Sequence, residues 1–504
     1  MYGAAAAPVT HSRRAGDAGG ARPRRQRIRA PGADPWPRLH PARGVSSPPG
    51  VVPLPWDELP EAVEVIAARL EAAGHRAYLV GGAVRDHLVR RAPSDYDLAT
   101  DALPAQVAAL FPGGVSDDAA FGRVLVEGVD VLTLRREAQY KDRRRPSVVT
   151  FSRSIRADLA RRDFTVNALA VDLRPPRTLL DPFGGRADLA VGLLRTVGSP
   201  QRRFGEDALR VLRAVRLRAE LGLSYHPRLA SALRGAAEAD LLCALSAERV
   251  RDELSRALLA PGAGGALRDL QRTGLLERVL AECAPMVGCL QKSPMHRWDV
   301  WEHSVRAVEA APAEPQLRWA ALLHDCGKPG CRTEGADGTT HFYGHEGAGE
   351  RIARALLRRL RFPDDFTARV AGLVRHHMFS YGPETRAGAA RRLALALGPG
   401  GVRDLLELRR ADRAAARWGA GYGPEGERLL AQLRAIEEAG ERFTLRDLAI
   451  DGRDVMTAAG VPAGPRVGVI LRQLHQWVLD DAVPNRREDL LERAAAAGRA
   501  DPGA

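Results

Sequence analysis

A short apolar run, His75 to Val80, ends in two glycines, Gly81 and Gly82, and a segment of helical character, Ala83 to Arg90, follows at once. A strand that turns through a double glycine into a helix lets backbone come close to a phosphate and presents free amides to it. Asp95 and Asp97 stand two apart in the next extended segment. Alternate residues of a strand share a face, so both carboxylates can hold one divalent metal. Further along, Asp207 and Arg210 are three apart in a helical stretch, side by side and able to read a flat hydrogen-bonding edge. These elements restrict the first half to a strand-and-helix head that holds metal and phosphate. Their joint chemistry is metal-dependent nucleotidyl transfer.

A chain of 504 residues exceeds one hydrophobic core and divides into roughly three or four domains. With 45% hydrophobic and 27% charged residues it is globular. No apolar run of about 18 residues occurs and no hydrophobic leader opens the sequence, so no membrane role and a cytoplasmic location are expected. Five cysteines without a CxxC pair read as reduced thiols, several of them buried. The net charge of +13 points to a polyanionic partner. Only Lys141, Lys292 and Lys328 are lysines, so arginine carries nearly all of it.

Residues 1–52 are expected to form a disordered basic tail; the first 50 hold nine arginines, two acids, eight prolines and seven glycines. A head follows over 53–195, with a helix at Leu59–Ala73 and a β-hairpin of Gly122–Val126 and Val129–Leu134 turning at Glu127-Gly128. Residues 135–162, rich in arginine, read as a mobile basic loop. Helical periodicity governs the rest, divided into 196–290, 291–425 and 426–504.

Nucleotidyl transfer asks a protein chiefly for metal ligands and triphosphate donors. Asp95 and Asp97 suit the first role, and Asp130 on the hairpin offers a third carboxylate. Gly81, Gly82 and Arg85 lie where a triphosphate would rest. In the helix after Asp207, Ala208, Val211, Leu212, Val215 and Ala219 gather on one face at 100° per residue. Asp207, Arg210, Arg213 and Arg216 wind over the other.

The runs Tyr78–Asp86, Asp95-Tyr-Asp97, Arg161–Ala168, Asp181–Gly185 and Gly205–Arg216 together resemble the bacterial class II tRNA nucleotidyltransferase and poly(A) polymerase family, within the DNA polymerase β-like nucleotidyltransferases. The resemblance implies catalytic Mg²⁺ on Asp95 and Asp97, and triphosphate contacts from Gly82 and Arg85. It also implies nucleotide contacts from the Arg161–Ala168 motif, through Arg162, Asp163 and Asn167. By the same resemblance Asp207 and Arg210 act as a protein template for the edge of CTP or ATP, with Arg213 and Arg216 beside them. The neck run Ser246–Leu254 matches a structural segment of the family.

A second constellation is separate. His303, the dyad His324-Asp325, His345, His377 and Asp412 recur through helical sequence. Imidazole and carboxylate suit Mn²⁺, Ni²⁺, Co²⁺ or Mg²⁺, and a bridging Asp325 permits two metals. The order resembles the HD phosphohydrolase domain. His376 and His341 are further candidate ligands. The run Asp451–Met456, with Gly460, Gly464, Gly468 and Asn485, resembles the C-terminal region of HD-bearing members and suggests an RNA contact.

The expected architecture is an α/β polymerase-β-like nucleotidyltransferase head followed by all-α neck, HD and tail domains. The expected function is addition of CMP and AMP to the tRNA 3′ end from CTP and ATP, without a nucleic-acid template. Poly(A) addition, C-only or A-only addition, and an HD phosphohydrolase with an RNA-binding head are the alternatives.

Overall fold

A mixed sheet lies at the centre of the head, and its strand pairing sets the position of the site. The computed structural model describes residues 59–499, except 113–114, 119–121, 141–145, 293–296, 399, 417–418, 420, 441–443 and 481. The expected tail 1–52 lies outside the described residues. Strands β1 (Ala77–Val80), β2 (Asp97–Thr100), β3 (Val115–Asp118), β4 (Arg123–Val126) and β5 (Val129–Thr133) join two later strands, numbered β8 (Ala170–Asp172) and β9 (Thr178–Leu180). Their order is β3-β4-β5-β2-β1-β8-β9. Only β2 and β5 run parallel, and their register places Asp97 opposite Asp130. On the other side of β2, Val80 at the end of β1 is opposite Asp97.

The side chains explain the layers. Leu79, Leu98 and Val131 point to one face and pack under helix Glu61–Ala72, through Val63, Ile66 and Leu70. Tyr78, Val80 and Ala99 point to the opposite face, where Leu159 and Val197 pack with them. This is the alternation of a strand buried on both sides. The β4–β5 hairpin turns at Glu127 and Gly128, both at positive φ, the backbone a two-residue turn requires.

The region read as a mobile loop is ordered differently. Strands β6 (Arg135–Tyr140) and β7 (Pro146–Phe151) pair antiparallel as a ribbon of their own, followed by helix Ile155–Ala160. The β-branched and aromatic residues of Ser147-Val-Val-Thr-Phe151 favour a strand despite the arginine-rich composition of the run; Arg143, Arg144 and Arg145 lie outside the described residues.

Beyond the head the chain is helical apart from short strand pairs. Helix Leu209–Leu221 buries Val211, Leu212, Val215 and Ala219 as its periodicity requires, and packs on helices Ala247–Leu259 and Ala263–Thr273. One apolar cluster continues from Val63 in the head to Ala415 in the HD helices. The expected division at 425/426 falls inside helix Gly423–Glu438, whose Leu429, Leu433 and Ile436 pack with Val402 and Leu406. The last segment has its own core of Val455, Leu474 and Leu490. Its conspicuous polar residues serve as caps. Asp451 accepts from the amides of Arg453 and Asp454, and Asn485 ties Ala449 to Asp447.

Arg216 requires correction. Although it follows Arg213 at helical spacing, it is 4% exposed and its guanidinium is clasped by Glu253 at 2.6 Å and Glu220 at 2.7 Å. Each step of three residues turns the side chain by about 60°, so Arg216 lies about 120° round the helix from Arg210, where it meets Glu253 of helix Ala247–Leu259. Replacing it with Met strands buried Glu253, so Arg216→Met should cost about 3–5 kcal/mol in chemical denaturation. Nucleotide selectivity of the folded fraction should stay as in the parent; a change in selectivity would return Arg216 to the nucleotide site.

Candidate active site and second metal centre

At the end of β1 the chain turns at Gly81, with φ of +77°, into helix Gly82–Leu88. A Cβ on Gly81 would stand 2.9 Å from Arg162 Nη1 and 3.6 Å from Asp97 Oδ2. Only glycine therefore allows the guanidinium, the turn and the carboxylate to meet. Asp95 lies just before β2 in an irregular segment, exposed, with Ser94 Oγ donating to it at 3.0 Å. Asp130 accepts from Arg123 Nε at 2.8 Å.

Burial pushes the Asp97 carboxyl up to about 6; Arg162 offsets part of this, while Asp95 and Asp130 add to it. Three carboxylates gathered at one sheet end repel one another, and an all-oxygen set of this kind fits a hard divalent cation.

Behind this cluster the expected nucleotide residues hold one another. Arg85 donates to both oxygens of Asp86, at 2.8 and 2.9 Å, and to Asn167 Oδ1 at 2.6 Å. Asn167 donates to Asp163 at 3.2 Å, and Asp163 pairs with Arg213 at 2.9 Å. Arg85, Asp163 and Asn167 are buried.

Asp207 and Arg210 do not share a helix. Helix Pro200–Glu206 ends at Asp207, which is extended at φ −147°, and its carboxylate accepts from the Leu209 amide at 3.1 Å as the next helix starts. The Asp caps a break, as short acids do at helix starts. Arg249 of the neck donates to both Asp207 oxygens, at 3.0 and 3.1 Å. Arg210 is held by Glu206 at 2.7 Å and by the carbonyls of Arg203 and Arg161 at 3.1 and 2.9 Å. Glu206 and Arg249 were missed as site residues. Arg249 had a signal, since it lies in the neck run already singled out.

The second constellation closes around Asp325. His303, His324 and Asp412 form one donor group; Asp325, His345 and His377 form the other. Asp325 Oδ2 is 3.3 Å from His324 Nε2 and 3.6 Å from His303 Nε2, while Oδ1 is 3.5 Å from both His345 and His377. The Nδ1 atoms of His324, His345 and His377 lie 2.9, 2.7 and 2.8 Å from the carbonyls of Ala321, Phe342 and Val374. With Nδ1–H donating there, the Nε2 lone pairs of His345 and His377 face each other at 3.2 Å. Facing lone pairs are the arrangement a cation resolves.

Burial raises the Asp325 carboxyl, but His324 and Lys328 outweigh it and hold it well below the carboxylate range. Lys328, which sequence reading passed over, donates to Asp325 and to Gln291, each at 2.7 Å. Gly327 makes the dyad possible, because a Cβ there would lie 2.1 Å from the carbonyl of His345. His376, one residue before His377 at the end of the same helix, belongs to neither group, and neither does His341.

Four families match the chain in sequence. The Poly A polymerase head domain covers residues 77–195, the probable RNA and SrmB-binding site of polymerase A 222–286, the HD domain 295–418, and the putative tRNA nucleotidyltransferase domain 2 residues 427–494. The CCA-adding enzyme of Geobacillus thermodenitrificans is 34% identical over 433 residues, 84% of this chain and 93% of that protein. The A-adding tRNA nucleotidyltransferase of Deinococcus radiodurans is 36% identical over 413 residues, 79% and 90% respectively. The crystal structure of the Bacillus stearothermophilus CCA-adding enzyme in complex with CTP superposes with a TM-score of 0.65 at 31% identity, over 87% of this chain and 97% of that one.

A polymerase head bearing a carboxylate cluster, continued by neck, HD and tail helices, defines a nucleotidyltransferase. The chain belongs to the tRNA nucleotidyltransferase and poly(A) polymerase family.

The Asp97 carboxyl gives a measurable consequence. Its folded pKa lies above the ordinary value, so the neutral form is favoured and its stabilising contribution is lost as pH rises from about 4 to about 6. In EDTA at pH 8, Asp97→Asn should therefore raise folding stability, by no more than about 3 kcal/mol. The gain should shrink towards pH 4.5. Equal stability of the two proteins at both pH values would show that the cluster carries no such repulsion.

Proposed function

We propose that this chain adds CMP and AMP to tRNA 3′ ends from CTP and ATP, without a nucleic-acid template and with release of pyrophosphate. The observation that carries the reading is the junction of the Asp95–Asp97–Asp130 cluster with the Gly81 turn and Arg162, in a chain similar over most of its length to CCA-adding enzymes. A bond forms between the tRNA 3′-oxygen and the α-phosphorus, the α–β phosphoanhydride breaks, and the hydroxyl proton passes to solvent. Asp95 and Asp97 would hold Mg²⁺, which when bound would supply positive charge for the attacking oxygen and the departing pyrophosphate. Gly81 and Gly82 bring backbone amides to the triphosphate, and Arg162 meets its charge beside Asp97. Arg85, Asp163, Asn167 and Arg213 keep that floor attached to the selecting helix, while Asp207 and Arg210 read the base. Arg249 and Glu206 hold these two readers in order and release them to the base. A tRNA substrate supports a cytoplasmic reading; among the described residues no helix is long and apolar enough to cross a membrane.

The HD group is read as a phosphoesterase centre for Mn²⁺, Ni²⁺ or Co²⁺, on the mixed nitrogen and oxygen donors around Asp325. Mg²⁺ suits it less, since it prefers oxygen. The proposed divisions are a head to 195, selecting and neck helices to 290, an HD region including helix Gly423–Glu438, and a tail from about 444. The separate cores support the last boundary.

Purified protein incubated with a tRNA lacking its 3′ end, and with each nucleotide separately, tests the main reading. Two C additions followed by one A are expected. Addition of A alone, and only to a tRNA already ending in CC, would favour the second reading, which the Deinococcus relative supports. Asp95→Ala or Asp97→Ala should abolish incorporation while tRNA binding persists, because dispersed arginines carry the RNA; activity above a few per cent would dismiss the metal assignment. Asp207→Ala or Arg210→Ala should lose about 1–3 kcal/mol of discrimination against UTP and GTP, by analogy with edge readout in grooves. A uniform fall in rate with unchanged selectivity would contradict their role. His324→Ala should lose bound transition metal yet keep nucleotide addition, as measured by elemental analysis and incorporation.

A further inference from the structure

The segment Thr333–Tyr343, which leads into the metal-bearing helix His345–Arg359, carries a feature that neither the fold nor the donor groups use. Its two short strands pair Thr333 with His341 and Glu334 with Thr340. The Lys292 amide donates to Thr340 Oγ1 at 2.6 Å and fastens this ribbon to the body. His341 Nε2 lies 3.1 Å from the Thr339 hydroxyl, which donates to Asp337 at 2.6 Å, so the imidazole is fixed. Tyr343 lies against it with ring centroids 5.4 Å apart and planes 9° from parallel.

Tyr343 is nevertheless 80% exposed, the largest value for any large apolar side chain among the described residues. Both rings line a cavity of about 450 Å³ that also holds Asp325, His345, His377, Asp412 and the Lys328 side chain. That volume is within the range of small-ligand sites. An aromatic face held flat and left in water contributes little to folding. Placed at the rim of a phosphoester centre, it offers a surface on which a nucleobase stacks.

We propose that Tyr343, backed by His341, is a base-stacking platform, and that the HD centre therefore takes a nucleotide and not a simple phosphomonoester. The phosphate lies towards Asp325 and Lys328, and the base on the tyrosine. The proposal rests on the phosphoesterase reading of the same cavity, and the nucleotide is either free or the terminal residue of an RNA.

The test uses the full chain with the head disabled by Asp95→Ala and Asp97→Ala, loaded with Mn²⁺. Calorimetric binding and hydrolysis are measured for AMP, for a short RNA ending in a 2′,3′-cyclic phosphate, and for ribose 5-phosphate. Tyr343→Ala should weaken the base-bearing ligands by about 5- to 100-fold. It should leave ribose 5-phosphate within about twofold and Mn²⁺ content unchanged, and Tyr343→Phe should behave as the parent. An effect on AMP alone assigns a free nucleotide, and an effect on the RNA alone assigns a terminal one. AMP bound no more tightly than ribose 5-phosphate by the parent, or equally well by Tyr343→Ala, overturns the platform. Absence of hydrolysis on every substrate sinks the phosphoesterase reading instead, and the binding comparison still decides the platform.

Discussion

Arg85, Asn167 and Asp163 form a line of buried polar contacts from the Gly81 turn that ends on the partly exposed Arg213 of helix Leu209–Leu221. Removing one of the three buried members leaves a polar or charged neighbour unpaired away from water, which costs more than the contact contributes on its own. The line therefore behaves as a fixed brace between helix Gly82–Leu88 and helix Leu209–Leu221. From that helix, Arg216 reaches Glu253 and Arg218 reaches Asp269, so the neck is braced in the same manner. Arg268 then meets Glu302 and Glu309 of the first HD helix. Apolar packing sets the shape of the molecule, and these directional pairs fix how its parts register.

The head was largely readable because its signals are local. A four-residue apolar strand, a double glycine, a two-residue turn and alternating Val and Leu each dictate backbone within their own span. Asp97 and Asp130 became neighbours through the parallel register of β2 and β5, which the local pattern of the β4–β5 hairpin does not specify. Arginines were harder to read. Arg210, Arg213 and Arg216 look alike in the sequence, yet one grips Glu206, one braces Asp163 and one is buried against Glu253. What separates the last two lies across the fold, in residues tens of positions away. The break at Asp207 was hidden for a similar reason. Nothing near it forbids a continuous helix, and the Arg249 that holds it belongs to the neck.

The HD group shows the opposite balance. Its six donors stood out by residue type and order, and all six converge. The choice of His377 over His376 was settled by geometry: the end of helix Asp364–His376 offers the Val374 carbonyl to His377 Nδ1 and turns Nε2 inward. Lys328 was overlooked because one lysine after a glycine says little by itself. In place, it neutralises part of the buried charge of Asp325, whose two oxygens serve both donor groups.

The two centres are built from different chemistry. The head presents carboxylates alone, with Asp97 raised by burial and by two acidic neighbours. Such a site is unfavourable until a hard cation enters, and it binds that cation through oxygen only. Around Asp325, His324 and Lys328 hold the carboxylate well below its ordinary range, and the donors around it mix nitrogen with oxygen. The donor sets differ in preference: carboxylate oxygens favour a hard divalent cation, whereas imidazole nitrogens also accept softer ones.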